Sequence, residues 1–219
     1  MSQAAVWLLL FVVVAAVLLF SALYKRRFTV REMTMIGIMA ALSYVAYSFF
    51  RIKLPSGSSF HLGNTFTALT ALLLDGVSGG LAGAIGLAMA DILAGDAGYA
   101  VTTFILKFII GLVCGFTAHK LLHLRSASPA QGRGRYIVRV TGAAASGLMV
   151  NVLTDPLVGY FRNRYIFGQD YTIAQAVSKI AGGVTFVNSV LSTVCVVVLY
   201  LALAPALEKA GLLGQGTHR

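Results

Sequence analysis

The chain has 219 residues, of which 58% are hydrophobic and only 11% charged. Soluble domains carry about 25% charged residues, so this composition excludes an ordinary soluble fold and points to an all-α integral membrane protein. The net charge is +10, but the Lys and Arg residues flank apolar runs instead of filling a soluble basic domain; they anchor helices and set topology, and no nucleic-acid partner is expected.

In chain order, a first apolar run spans Ala5 to Tyr24 and is followed by the cations Lys25–Arg27. About 20 apolar residues cross a bilayer. A signal peptide carries its positive charge before the apolar stretch, not after it, so this run predicts an uncleaved helix with its N-terminus outside. The second run, Glu32 to Phe50, ends at the loop RIKLPSGSS. The third, Phe60 to Leu74, is short, about 22 Å at 1.5 Å per residue. The fourth, Val77 to Gly95, is rich in Gly and Ala, and the fifth is Ala100 to Leu122. A polar stretch, Arg125 to Arg135, precedes the sixth run, Tyr136 to Tyr160, which Pro156 interrupts. The loop FRNRYIFGQDY leads to the seventh, Thr172 to Ala204. The expected organisation is an additional N-terminal helix in residues 1–27, a membrane domain in 28–208, and a mobile cytoplasmic tail in 209–219.

Cytoplasmic loops of membrane proteins carry the excess of Lys and Arg. With Lys25–Arg27 inside and alternation thereafter, the cytoplasmic side holds Lys25, Arg26, Arg27, Arg31, Lys120, Arg125, Arg133, Arg135, Arg139, Lys209 and Arg219, and the outside holds Arg51, Lys53, Arg162 and Arg164. Seven spans follow, with the N-terminus outside and the C-terminus in the cytoplasm of a multi-pass cell-membrane protein.

This topology gives each polar residue within the runs a depth. His61 and Asn64 open the third run, Asp91 lies near the outer end of the fourth, and Lys107 sits two turns inside the fifth. Asp155 lies near the outer end of the sixth with Asn151 one turn deeper, and Lys179 sits two turns inside the seventh. An isolated charge at mid-bilayer costs about 2.5–3.5 kcal/mol on insertion scales, so such groups face a bundle interior. Two acids and two bases at similar depth predict either a polar cavity open to the outside or internal salt bridges that only tie helices together. For His61, hydration at a helix mouth is the plainer reading; its position on one helical face with Asn64 favours a ligand contact. Pro156 frees the Val152 carbonyl, which either lines the same cavity or marks a packing kink. Cys114 and Cys195 lie in apolar runs and read as small buried hydrophobes, with neither a metal site nor a disulfide.

Small residues let helices approach closely in lipid. Gly79, Gly83 and Gly86 in the fourth run read as internal packing; Gly37, Ala40 and Ala41 in the second fit either internal packing or an external partner. The sequence holds no H-E-x-x-H, G-x-S-x-G or Walker A motif, so no enzymatic activity and no cofactor of its own are expected, and any ATP must be used by another chain.

Three segments, FTVREMTMIGIMAALSYVAYSF, LPSGSSFHLGNTFTALTALLLDGVSGGLAGAIGLAMADILAG and TFILKFIIGLVCGF, together resemble the substrate-binding (S) component of an energy-coupling factor (ECF) transporter. The resemblance covers residues 28–118 closely and continues more loosely to 208. It implies a six-helix bundle, here with one extra N-terminal transmembrane helix, that binds a water-soluble vitamin or related micronutrient from outside under the loop between its first two core helices. It further implies a shared transmembrane coupling subunit and two cytoplasmic ATPases as partners, and release of substrate by toppling in the membrane. The family's docking motif, A-x-x-x-A, is matched by Gly37-x-x-x-Ala41, with Ala40 adjacent. The nickel and cobalt members begin with a His near a processed N-terminus, and the opening MSQAAV disfavours metal uptake.

The expectation is thus the substrate-specificity subunit of an ATP-driven importer, with His61, Asn64, Asp91, Lys107, Asn151, Asp155 and Lys179 binding substrate and no metal. The rivals are a stand-alone proton-coupled transporter using Asp91 and Asp155, and a membrane-embedded lipid-modifying enzyme.

Overall fold

The computed structural model describes residues 3–24 and 26–213. Lys25 and most of the expected tail, residues 214–219, lie outside the described residues. Among the described residues the chain forms seven α-helices: α1 (Gln3–Tyr24), α2 (Val30–Phe49), α3 (Gly63–Leu73), α4 (Gly76–Leu93), α5 (Ala100–Phe116), α6 (Arg133–Phe161) and α7 (Tyr171–Lys209). Two short antiparallel strands, β1 (Ile52–Lys53) and β2 (Ser59–Phe60), make a hairpin between α2 and α3. Among the described residues, five helical segments are long and apolar enough to cross a membrane: 30–49, 76–93, 97–121, 133–166 and 171–209. On α1, Leu10, Val13, Val17 and Phe20 are exposed, as the side chains of an apolar helix facing lipid would be.

Local chemistry fixes the helix starts. Thr29 caps α2 in a capping box: its side chain accepts from the Glu32 amide, and Glu32 accepts from the Thr29 amide. Asp75 caps α4 by accepting from the Val77 and Ser78 amides. Asp75 also takes Arg26 at 2.5 Å, and Arg26 reaches Glu32 at 3.3 Å, so one arginine joins the starts of two helices.

The third apolar run becomes a helix of 11 residues, too short to span. It is the centre of the bundle instead, packed by α2, α4, α5, α6 and α7. Ala68, Leu69, Ala71 and Leu72 are fully buried. A helix ringed by others meets no lipid, so it tolerates Thr65, Thr67 and Thr70, all buried.

Close approach of α4 to its neighbours needs its glycines. A Cβ on Gly79 would lie 2.5 Å from the Ala71 backbone nitrogen, and one on Gly80 2.9 Å from the Phe108 carbonyl. The core fills the half of the bundle near Leu69, Leu72, Ile110, Val140, Leu148 and Val196. The other half holds a smaller cluster, Tyr47, Leu87 and Ala90, beside a polar hollow.

The small residues of α2 divide. Ala40 is buried, and its carbonyl lies against Gly86; Gly37 and Ala41 face outward, with open space around Gly37. Ala40 therefore serves internal packing, while the Gly37–Ala41 stripe lies on the outer surface.

Candidate functional site

The hollow is a cleft of about 880 Å³, counting the space at its mouth. It lies where the C-terminal ends of α2, α4 and α6 meet the N-terminal ends of α3, α5 and α7, so all six helices contribute residues from the same end of the bundle. That common level brings His61, Asn64, Asp91, Lys107, Asn151 and Asp155 onto one lining.

Each carboxylate is held by hydroxyls, not by a cation. Asp91 accepts from Tyr47 at 2.9 Å and Thr103 at 2.5 Å. Asp155 accepts from Thr185 at 2.7 Å. Lys107 is only 7% exposed, yet the ion pairs formed among the described residues involve Arg26, Arg51 and Lys53 and leave it out. Helix-tying salt bridges between these lysines and aspartates are therefore not what the structure contains. Asn64 Oδ1 and both polar atoms of Asn151 are buried with no partner among the described residues. A buried amide without a hydrogen bond costs about 1–3 kcal/mol, and both residues line the cleft.

Lys179 does not join them. It is not on the lining, whereas Val177, Ser178, Ala181, Val184, Thr185 and Asn188 are. Successive helical residues are about 100° apart, and the inward stripe of α7 runs through Ser178 and Ala181, leaving Lys179 on another face. His61 reaches the cleft differently from expectation: it precedes α3, and its Nδ1 accepts from the Gly63 amide at 3.2 Å. Its ring packs on Tyr47 at 4.7 Å between centroids. Pro156 packs near Gly182, and its own carbonyl accepts from Ser178 at 2.7 Å.

The hairpin closes over one side of the cleft, with Ser56–Ser59 on the lining. Gly57 turns it at φ 85°, a left-handed conformation that glycine adopts without strain. Two tethers hold it. Asp96 takes Arg51 at 2.7 Å and Lys53 at 3.0 Å. Asn188 donates to the Ser59 carbonyl at 2.9 Å and accepts from the His61 amide at 3.2 Å. The hydrogen bond from Arg51 holds the Asp96 carboxyl below its ordinary range; slight burial opposes this, and Lys53 adds to it.

The lining includes groups that sequence reasoning missed: Tyr47, Tyr99, Thr103, Arg162, Asn163, Thr185 and Asn188. Arg162, read from sequence as an external loop cation, is 9% exposed. It starts a wide π-helical turn in which the Phe167 amide donates back to the Arg162 carbonyl, so the chain stays helical past the end of α6 and carries Arg162 into the cleft. Such turns gather at functional sites.

The sequence matches the family of ECF-type riboflavin transporter S components over residues 27–205. The chain belongs to this family of substrate-specific vitamin transporter subunits. Its fold is similar to that of ThiT from Listeria monocytogenes, with a TM-score of 0.62 and 21% identity, covering 80% of this chain and 96% of that one. No curated protein matches the sequence. Family and fold together make this a multi-pass membrane protein of a transport system, and the family is one of transporter components, not enzymes.

Proposed function

We propose that the chain is the substrate-specificity subunit of an ATP-driven ECF-type importer and that the cleft holds its vitamin. The observation that carries this reading is the set of buried polar groups without protein partners, Asn64 and Asn151 above all, on one lining with the unpaired Lys107. Ligand sites are typically clefts in which a few polar groups converge among apolar and aromatic side chains, and both kinds line this one. His61, Asn64, Asp91, Lys107, Asn151 and Asp155 are the proposed binding residues; Lys179 is left out of the set.

Riboflavin, the vitamin in the family's name, suits the lining. Its flat ring system calls for aromatic and aliphatic walls, here Tyr47, His61, Tyr99, Leu87 and Leu106. Its imide edge and ribityl hydroxyls call for amides, here Asn64, Asn151 and Asn163. The vitamin is uncharged, and the two acids and two cations of the lining balance.

The cleft faces outside in this reading. Its end of the bundle carries Arg51, Lys53 and Arg164, whereas the far end carries Arg26, Arg31, Lys120, Arg125, Arg133, Arg135 and Arg139, the richer and hence cytoplasmic side. Residues 28–208 form the six-helix binding domain, α1 is the additional transmembrane helix, and residues from 209 onward form a cytoplasmic tail. The outward Gly37–Ala41 stripe docks on a shared transmembrane coupling subunit, which carries two ATPases; the chain itself uses no cofactor or metal.

Proteoliposomes test this. Riboflavin should accumulate only when the coupling subunit, the ATPases and ATP are all present. Accumulation by this chain alone, driven by a proton gradient, would instead establish the secondary-transporter reading.

A further inference from the structure

The guanidinium of Arg162 is built into the cleft with more care than a topology-setting cation requires. Its Nη1 donates to Thr102 Oγ1 at 2.8 Å. Its plane lies over the Tyr99 ring, 4.0 Å from the centroid, with Phe167 5.8 Å away. These contacts come from α5 and from the segments on either side of the cleft, and they fix the plane. Nε is buried without an acceptor, Nη2 donates to no side chain or carbonyl, and no carboxylate pairs with the group among the described residues. The Nε–Nη2 edge is therefore the unused side, and the residue lines the cleft.

That edge has a specific chemistry. Two parallel N–H groups in a rigid fork match two adjacent acceptors on one molecule. Guanine is read this way, through its O6 and N7. The flavin ring offers the same pattern twice, as O4 with N5 and as O2 with N1. Lysine, a point charge with rotatable donors, does not match it.

We infer that Arg162 is a specificity-determining residue that grips a pair of adjacent ring acceptors on the bound vitamin through its Nε–Nη2 edge. The inference rests on the proposed reading of riboflavin as ligand. It makes Thr102, which is not on the lining, a positioning residue that holds the fork, while Tyr99 both holds the fork and walls the cleft.

The experiment uses the purified full chain and three probes: riboflavin, 5-deazariboflavin and 1-deazariboflavin. The first analogue replaces the N5 acceptor by C–H and the second replaces N1. Affinity is read by titration for the wild type and for Arg162→Lys. The expected result is a loss of about 10- to 100-fold for one analogue in the wild type, the range of a bidentate contact, and a loss of similar size for riboflavin in Arg162→Lys. In that variant riboflavin and the analogue should then bind alike. A merely structural arginine would weaken all probes together and leave the discrimination in place; that result overturns the inference, as does equal binding of all three by the wild type. If Arg162→Lys fails to fold, Raman spectra of riboflavin labelled at C2 or C4 and bound to the wild type decide: a carbonyl stretch below its value in water supports the fork, and two unshifted carbonyls overturn it. No binding of riboflavin by the wild type refutes the choice of vitamin, which is a separate failure.

Discussion

Replacing Gly79 by Ala should loosen the wall of the cleft from a distance. The added Cβ would stand 2.5 Å from both the Ala71 nitrogen and its Cβ, and 2.6 Å from its Cα. Ordinary van der Waals contact begins at 3.4 Å, so the two helices must part by about 0.9 Å, the difference of the 3.4 and 2.5 Å distances. The obstacle is the backbone of α3, which has no rotamer to change. Overpacking of this kind costs about 1–3 kcal/mol, and a backbone obstacle argues for the upper end. Alanine's better helix propensity returns about 1 kcal/mol. The net expectation is destabilisation by about 2 kcal/mol, or a fall in Tm of about 4–8 °C for a chain of this size. Gly183→Ala is the control, because nothing lies within 4 Å of its added Cβ; it should be neutral or stabilising by up to about 1 kcal/mol. Thermal unfolding in one detergent compares the pair. Because α3 carries Asn64 and α4 carries Asp91, vitamin affinity should fall with stability in Gly79→Ala alone. A Gly79→Ala protein as stable as Gly183→Ala would refute the close-packed interface.

The two lysines should separate: Lys107→Met should weaken vitamin binding at least about tenfold, whereas Lys179→Ala, off the lining, should stay within about twofold, as read by equilibrium titration. Asp96→Asn should speed ligand release about fivefold, near 1 kcal/mol for a partly exposed ion pair, measured by stopped-flow displacement. Because the folded Asp96 pKa is depressed below its ordinary value of 3.8, its contribution is present above that value and lost as pH falls through the folded one; the release rate should be flat from about pH 5 to 8 and rise only in stronger acid. Gly37→Leu with Ala41→Leu should leave vitamin binding intact and abolish ATP-dependent uptake, since bulky side chains on an outward small-residue stripe block close helix approach.

Hydropathy makes most of the architecture legible, because the bilayer demands long apolar helices and penalises stray charge. The shared depth of Asn64, Asp91, Lys107, Asn151 and Asp155 follows from helix rise alone. Direction around the helix does not. Lys179 has the right depth but the wrong face, and the signal is the polar stripe Ser178, Thr185, Asn188, spaced seven and three residues apart. The third run reads as a short span because its composition is apolar; its threonines mark a helix shielded from lipid. His61 reads as part of that helix because no turn residue separates it from Asn64 except Gly63, where α3 begins. Arg162 is hidden by a polar stretch that reads as loop, since a wide turn continuing α6 leaves no periodic trace over five residues.

Native mass spectrometry of the purified chain, after exposure to a mixture of water-soluble vitamins, tests the site most directly. One vitamin-sized adduct per chain, identified by its mass as riboflavin and missing from a folded Asn64→Ala, Asn151→Ala double variant, is the predicted result. An adduct of equal occupancy in both proteins would place the ligand elsewhere and contradict the assignment of the cleft.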